Sequence, residues 1–499
     1  MQSTSLQNDG PRPHLPLLLH AATTFIFAAM AVSAAVLTPR WAYSAENPRA
    51  PNVVFILADD LGWGDLHCYG HPYARTPHLD RLAEEGTRFK QCYSTGVTCC
   101  PARTGFMTGK FPATFATYPA NGGFGDRVTI TELLKNAGYR TGHFGKWHIG
   151  PDETSGTYDI DSIGANDEGG KKKRSRSSDG GRDAHIFNDA IKFIEANKAG
   201  PFYVNIWGHI SHFQVDPAEK FVDEFKKLKV DAADFKGPMR DKLAWSAKSG
   251  DVDDSMRRYL GDVYSLDLDV GRLLAKLDEL GLRENTIVVF SSDQGPGDPS
   301  LPEDDDKNAA KAKKAKPNDA ATDGNVATGR AMRSRTLLGY TGGLRGGKHR
   351  QYEGGVRVPF IIRWPGHVPA QRVDERSVIS GIDWLPTLCN LTGVKIDAND
   401  FDGQDVSSSW LGNSFERNRP LLWKTSSTNS DAAIRDGRWK FHGSHRKRGE
   451  VELYDLETDP TESKNIADQH PQVVKELQGK LDRWTATLPK SYDKVSGDD

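Results

Sequence analysis

Asn52-Val53-Val54-Phe55-Ile56-Leu57-Ala58 runs directly into Asp59-Asp60-Leu61-Gly62-Trp63-Gly64-Asp65. The first seven residues are continuously apolar and rich in β-branched side chains. That pattern predicts a strand buried on both faces, as in a parallel sheet. Two adjacent acids just beyond its carboxyl end lie where open α/β sheets place their sites. Thr286-Ile287-Val288-Val289-Phe290-Ser291 repeats the pattern and delivers Ser292-Asp293-Gln294-Gly295-Pro296. Pro201 to Trp207 reads as a third such strand. Helical spacing separates them, over Thr76–Gly86, Thr129–Asn136, Asp183–Lys198 and Leu260–Leu280. The expected fold class is α/β, a doubly wound and mostly parallel sheet.

The chain has 499 residues, of which 37% are hydrophobic and 26% charged, so a packed core is within reach of its composition. A formal net charge of −2 gives no reason to expect nucleic acid or an anionic membrane as partner. Residues 1–45 carry Arg12, a mostly apolar run from Leu15 to Leu37, and small residues at Ala42-Tyr43-Ser44-Ala45. They read as a signal peptide, or as an N-terminal anchor if left uncleaved. The protein is accordingly expected to be exported, periplasmic or secreted, with no stable membrane span once the signal is removed. Five cysteines, Cys68, Cys92, Cys99, Cys100 and Cys389, are too few for a disulfide scaffold, and their odd number points to one special thiol. Residues 161–183 and 297–335 are low in complexity and read as flexible insertions within a large domain at 50–415. The first contains Lys171-Lys172-Lys173-Arg174, a solvated loop or a grip on an anionic polymer.

Cys99-Cys100-Pro101-Ala102-Arg103-Thr104-Gly105-Phe106-Met107-Thr108-Gly109-Lys110 resembles the signature of the type I sulfatases, members of the alkaline phosphatase superfamily. Further blocks follow in that family's order: Gly145-Lys146-Trp147-His148, a histidine after the third strand, the pair Asp293-Gln294, and Gly346-Gly347-Lys348. The resemblance is closest to the arylsulfatase and N-acetylgalactosamine-6-sulfatase branch. It implies an alkaline phosphatase-like fold with a smaller C-terminal α+β subdomain, here residues 416–499. Ala432 to Phe441 and Val451 to Leu456 would supply its strands, and His470 to Leu488 its helix. A helix is expected to begin between Pro101 and Arg103, placing residue 99 at a helix N-terminus.

The same resemblance implies the chemistry. Cys99 would be oxidised to formylglycine by a maturation enzyme, and the aldehyde hydrate would attack a sulfate ester. Calcium would be held by Asp59, Asp60, Asp293, Gln294 and residue 99, all oxygen donors after conversion. Arg103 and Lys146 would stabilise the oxyanion at 99. His148 would act as base. His212 or Lys348 would protonate the leaving group, with His209 the rival for the histidine position. Sulfated carbohydrates, with aryl sulfates as surrogates, are the expected substrates. A phosphomonoester or phosphonate hydrolase on the same scaffold, and an inactive glycan-binding relative, are the alternatives.

Overall fold

The computed structural model describes residues 50–116, 123, 125–150, 158–161, 180–212, 215–247, 250–297, 338–424, 432–443 and 450–490. The expected leader at 1–45 lies outside them, as do most of both expected insertions. From Arg49 onward the chain forms one compact unit.

A nine-stranded sheet organises it. The strands are β1 (Asn52–Ala58), β2 (Thr87–Tyr93), β3 (Arg140–Gly145), β4 (Ile160–Asp161), β5 (Phe202–Trp207), β6 (Thr286–Ser292), β7 (Arg357–Arg363), β8 (Arg372–Asp374) and β9 (Ile379–Ser380). Their order is β4-β3-β5-β1-β6-β7-β2-β8, with β9 also on β2. β1 lies parallel between β5 and β6. The departure from a wholly parallel sheet is β7, antiparallel to both β6 and β2. Nothing in its apolar run distinguishes the two directions, because strand direction is set by the connection and not by side-chain period.

Alternate residues of β1 feed opposite cores, as the pleat requires. Val54, Ile56 and Ala58 join the core on the face covered by α1 (Pro77–Glu84), α4 (Ala184–Asn197) and α5 (Val252–Glu279). Val53, Phe55 and Leu57 join the other, with Phe106 of α2 (Cys99–Thr108), Leu134 of α3 (Ile130–Asn136) and Trp384 of α6 (Trp384–Thr392). Helix α2 begins at Cys99 itself, two residues earlier than expected. Asp267 of α5 accepts from the backbone N–H groups of His78 (3.2 Å) and Leu79 (2.8 Å), a cap on α1 supplied from another helix.

The C-terminal region is a separate antiparallel sheet of β10 (Leu421–Lys424), β11 (Ala432–Asp436), β12 (Trp439–His442) and β13 (Glu452–Asp455). Helix α7 (Pro471–Thr487) packs on it through Leu477 and Leu481. The expected strand from Ala432 to Phe441 is a hairpin, turned at Gly437, whose φ of 56° suits glycine. A buried ionic group joins this sheet to the large one. Lys440 Nζ lies 2.8 Å from Glu353 Oε1 and 3.6 Å from Glu462 Oε1, all three side chains being fully buried. The Lys440 and Arg357 cations overcome the burial of the Glu353 carboxyl and hold it down at about 2.

Lys440→Met should remove the cation that Glu353 and Glu462 share, leaving Glu353 to Arg357 and Glu462 to His442, and cost about 3 kcal/mol of stability in urea unfolding. Lys480→Met, at a half-buried position where it loses ion pairs to Asp436 and Glu476, should cost less than about 1 kcal/mol. Equal losses would contradict this reading of the interface.

Candidate active site

Ala58 and Ser292 are register partners on adjacent parallel strands, so Asp59 and Asp293 leave the sheet side by side. Asp60 adopts a φ of 61°, rare for a residue with a side chain, and its N–H donates to Asp293 Oδ1 at 3.1 Å. The glycines that follow allow the loop to close. A Cβ on Gly62 would meet the Tyr340 carbonyl at 2.3 Å, and one on Gly64 the Gly342 nitrogen at 2.4 Å. Asp65 accepts from the Gly62 and Tyr340 amides and the Tyr259 hydroxyl, at 2.5, 2.7 and 2.6 Å, and so clamps the loop without joining the cluster.

Cys99 enters at the first turn of α2. Its thiol donates to Asp59 Oδ1 at 3.3 Å, with Asp60 Oδ1 at 3.8 Å. One ligand atom each from Asp59, Asp60, Cys99 and Asp293 falls within 4.8 Å of the others. Gln294 is fully buried beside them. Its amide nitrogen contacts Asp60 and lies 3.6 Å from Cys99 Sγ, while its amide oxygen has no hydrogen-bond partner. An acceptor without a donor, buried beside three carboxylates, fits a cation site of hard oxygens.

Three cations answer the three acids. Arg103 donates to Asp293 Oδ2 from Nε (3.1 Å) and Nη2 (2.9 Å), and from Nη1 to the Lys146 carbonyl (2.8 Å). It also lies over the Trp207 ring, 5.2 Å from the centroid. Lys146 Nζ is 2.6 Å from Asp59 Oδ2. Lys348 Nζ donates to Asp60 Oδ1 and Oδ2 at 2.7 and 2.8 Å, with Cys99 Sγ at 3.5 Å. The loop carrying Lys348 is fixed by its own backbone: Lys348 N donates to Pro296 O (2.7 Å) and His349 N to Val97 O (2.9 Å). It thereby bridges the segment after Gln294 and the segment before Cys99.

The proton affinities follow from this arrangement. Burial would raise the Asp59 carboxyl, but Lys146, His212, Arg103 and Lys348 outweigh it and hold that group well below the usual range. Burial and the neighbouring Asp59 charge push Asp293 up to about 7, against Arg103. Burial works against the charge of Lys348, yet Asp60 and Asp59 keep its ammonium above the usual value. Burial and Asp59 also push the Cys99 thiol up, so it is a protonated thiol and not a thiolate.

Two histidines stand at the rim. His148 follows β3 in a left-handed conformation, φ 54°. The residue is exposed, and desolvation on its protein-facing side, followed by the charges of Lys146 and Arg103, holds its imidazole below the ordinary value. His212 follows β5, with Nε2 3.8 Å from Asp60 Oδ2. Burial lowers its imidazole, though Asp59 and Asp60 pull the other way. The rival His209 is turned away, with Nδ1 3.3 Å from Asp183 Oδ1. His143 is a core residue among the rings of Trp147, Tyr158 and Trp207.

The structure thus brings together all ten residues singled out from the sequence: Asp59, Asp60, Cys99, Arg103, Lys146, His148, His212, Asp293, Gln294 and Lys348. Sequence reasoning missed Arg182 and Asp183, which sit behind the His212 loop at the end of a stretch that composition marks as solvated. None of the five cysteines is in a disulfide. A cleft of about 700 Å³ opens elsewhere, between Lys236–Asp241, Gly342–Arg345 and the C-terminal sheet, and no residue of the cluster lines it.

Comparison with known proteins identifies the family. The sulfatase family model matches residues 51–394, and the model for the C-terminal region of N-sulphoglucosamine sulphohydrolase matches residues 347–487. The chain is 28% identical to the N-acetylgalactosamine-6-O-sulfatase of Bacteroides thetaiotaomicron, over 88% of this chain and 94% of that protein. It is also 28% identical to human arylsulfatase A, over 86% and 87%. Among solved structures, Ps i-CgsB in complex with k-i-k-neocarrahexaose superposes with a TM-score of 0.69 at 21% identity, covering 90% of this chain and 96% of that one. The family match spans well over half the chain: this protein belongs to the sulfatase family and is a sulfuric ester hydrolase.

Proposed function

We propose that this protein is an exported, calcium-dependent sulfatase that acts on sulfated carbohydrates with formylglycine at position 99. The observation that carries the formylglycine reading is the mismatch at Cys99. A soft sulfur, protonated by its surroundings, stands among hard carboxylate oxygens and an amide oxygen. A thiol in such a place is a poor nucleophile and a poor calcium ligand. Replacing the sulfur by oxygen would suit both roles, and conversion requires a maturation enzyme.

The aldehyde hydrate would supply the attacking oxygen, and calcium would offset charge on the sulfate oxygens. Asp59, Asp60, Asp293 and the amide oxygen of Gln294 would hold the ion. Arg103 keeps Asp293 and the Lys146 backbone in place and adds positive charge beside residue 99. Lys146 and Lys348 rest on Asp59 and Asp60, and their ammonium groups would stabilise negative oxygen at residue 99 and on the sulfate. His148, its imidazole held neutral, would accept a proton from residue 99. His212 and Lys348 lie on the Asp60 side, where one would deliver a proton to the departing alcohol oxygen and the other would hydrogen-bond to it.

Carbohydrate as the substrate class is supported by the name of the N-acetylgalactosamine-6-O-sulfatase relative and by the oligosaccharide bound to Ps i-CgsB. Export rests on the leader-like residues 1–45. Among the described residues no helix is long and apolar enough to cross a membrane.

Peptide mass spectrometry across residue 99 should find aldehyde in active material, and Cys99→Ala should abolish turnover of 4-nitrophenyl sulfate. Finding only thiol in fully active protein would remove the nucleophile. Chelation should lower both activity and the thermal midpoint, and calcium should restore both where zinc does not. Arg103→Lys keeps the charge but cannot make the fork to Asp293 and the Lys146 carbonyl, so kcat/KM should fall about a hundredfold. Matched sulfate and phosphate monoesters should show kcat/KM favouring sulfate, and the reverse order would favour a phosphoesterase.

A further inference from the structure

We propose that Arg182 and Asp183 are the positioning residues of the His212 loop, and that they set where its imidazole meets the leaving group. The inference rests on the leaving-group role described above and takes His212, of the two candidates, as the group that delivers the proton. Residues 208–212 form a tight loop after β5. Asp183 takes its amides: Oδ2 accepts from His209 N (2.8 Å) and Ile210 N (3.0 Å). Arg182 takes its carbonyls: Nη1 donates to His212 O (3.0 Å) and Nη2 to His209 O (2.8 Å). One dipeptide therefore grips the loop from behind by groups of both polarities. Gly208 lets it come that close, since a Cβ there would meet Asp183 Oδ2 at 2.5 Å.

The grip is itself anchored. Arg182 Nη2 lies 3.0 Å from Oδ2 of Asp262, a fully buried residue of α5. Asp183 is buried at the start of α4. The front of the loop is tied to the metal-site strand: Ser211 N donates to Asp59 O (2.7 Å), and Asp59 N to Ile210 O (2.8 Å). The loop thus has a front register set by Asp59 and a back register set by Arg182. The guanidinium fork matters because it reaches two carbonyls and a carboxylate at once, which an ammonium cannot do in the same geometry.

The test uses the full-length protein and two substrates, phenyl sulfate, whose leaving group needs protonation, and 4-nitrophenyl sulfate, whose leaving group does not. Arg182→Lys is the variant of choice, because it keeps a charge for buried Asp262. Arg182→Ala would strand that acid and risks unfolding. On phenyl sulfate, Arg182→Lys should lower kcat about tenfold with KM little changed, and on 4-nitrophenyl sulfate it should cost far less. Added to His212→Ala, it should cost nothing further, because Arg182 acts only through that imidazole. Equal losses on the two esters, a further loss in the His212→Ala background, or an unchanged kcat would each overturn the proposal. The parent His212→Ala variant separates the two readings. If it treats both esters alike, the leaving-group role of His212 falls and takes this inference with it. If it is selectively impaired on phenyl sulfate while Arg182→Lys is not, only the positioning role falls.

Discussion

Three carboxylates confined to one dry volume repel one another, and a fold that collects them must bring opposite charge to the same place. Asp59, Asp60 and Asp293 are buried together at the carboxyl edge of β1 and β6. Arg103, Lys146 and Lys348 reach them from a helix, a strand end and a loop that are far apart in sequence. In a low dielectric neither set is tolerable alone. The unequal proton affinities show that the balance is local and not merely net: Asp59, which faces two of the cations directly, is held ionised, while Asp293 is pushed up to about 7. A divalent ion in the same volume would relieve the repulsion that remains and free the lysines to meet an anionic substrate.

Much of this was legible because it is written locally. Apolar runs ending in acids mark buried strands and their active edge, and α2 is announced by its signature. Other features depend on which distant backbone groups come together. The reversed direction of β7 leaves no trace in Arg357–Arg363, since a strand buried on both faces has the same pattern either way. Arg182 and Asp183 stand where a run of glycine, serine and basic residues gives way to helical spacing, and neither pattern marks them as anchors of another loop. Their partners are amides and carbonyls of residues 209–212, which no side-chain pattern reveals. Asp267 capping α1 is a similar case, because a remote cap has no fixed offset in sequence.

The C-terminal sheet does more than cover apolar surface. Glu353 lies five positions after Lys348, and its carboxylate is held by Lys440 of β12 while its amide donates to Glu462 Oε2 at 2.6 Å. Trp423 of β10 donates to the carbonyl of Ser94, in the segment between β2 and Cys99. The small sheet is therefore bonded to both segments that deliver residues to the cluster from outside the parallel strands. Its stability and the geometry of Lys348 are one problem.

The near-complete enclosure of Cys99, which is only 2% exposed, also has a consequence in time. The strand that closes its neighbourhood between β6 and β2 is β7, and Lys348 arrives just before it. A ribosome must therefore synthesise more than two hundred and fifty residues beyond Cys99 before the cavity around it can shut. Throughout this interval the side chain stays open to any other protein that works on it.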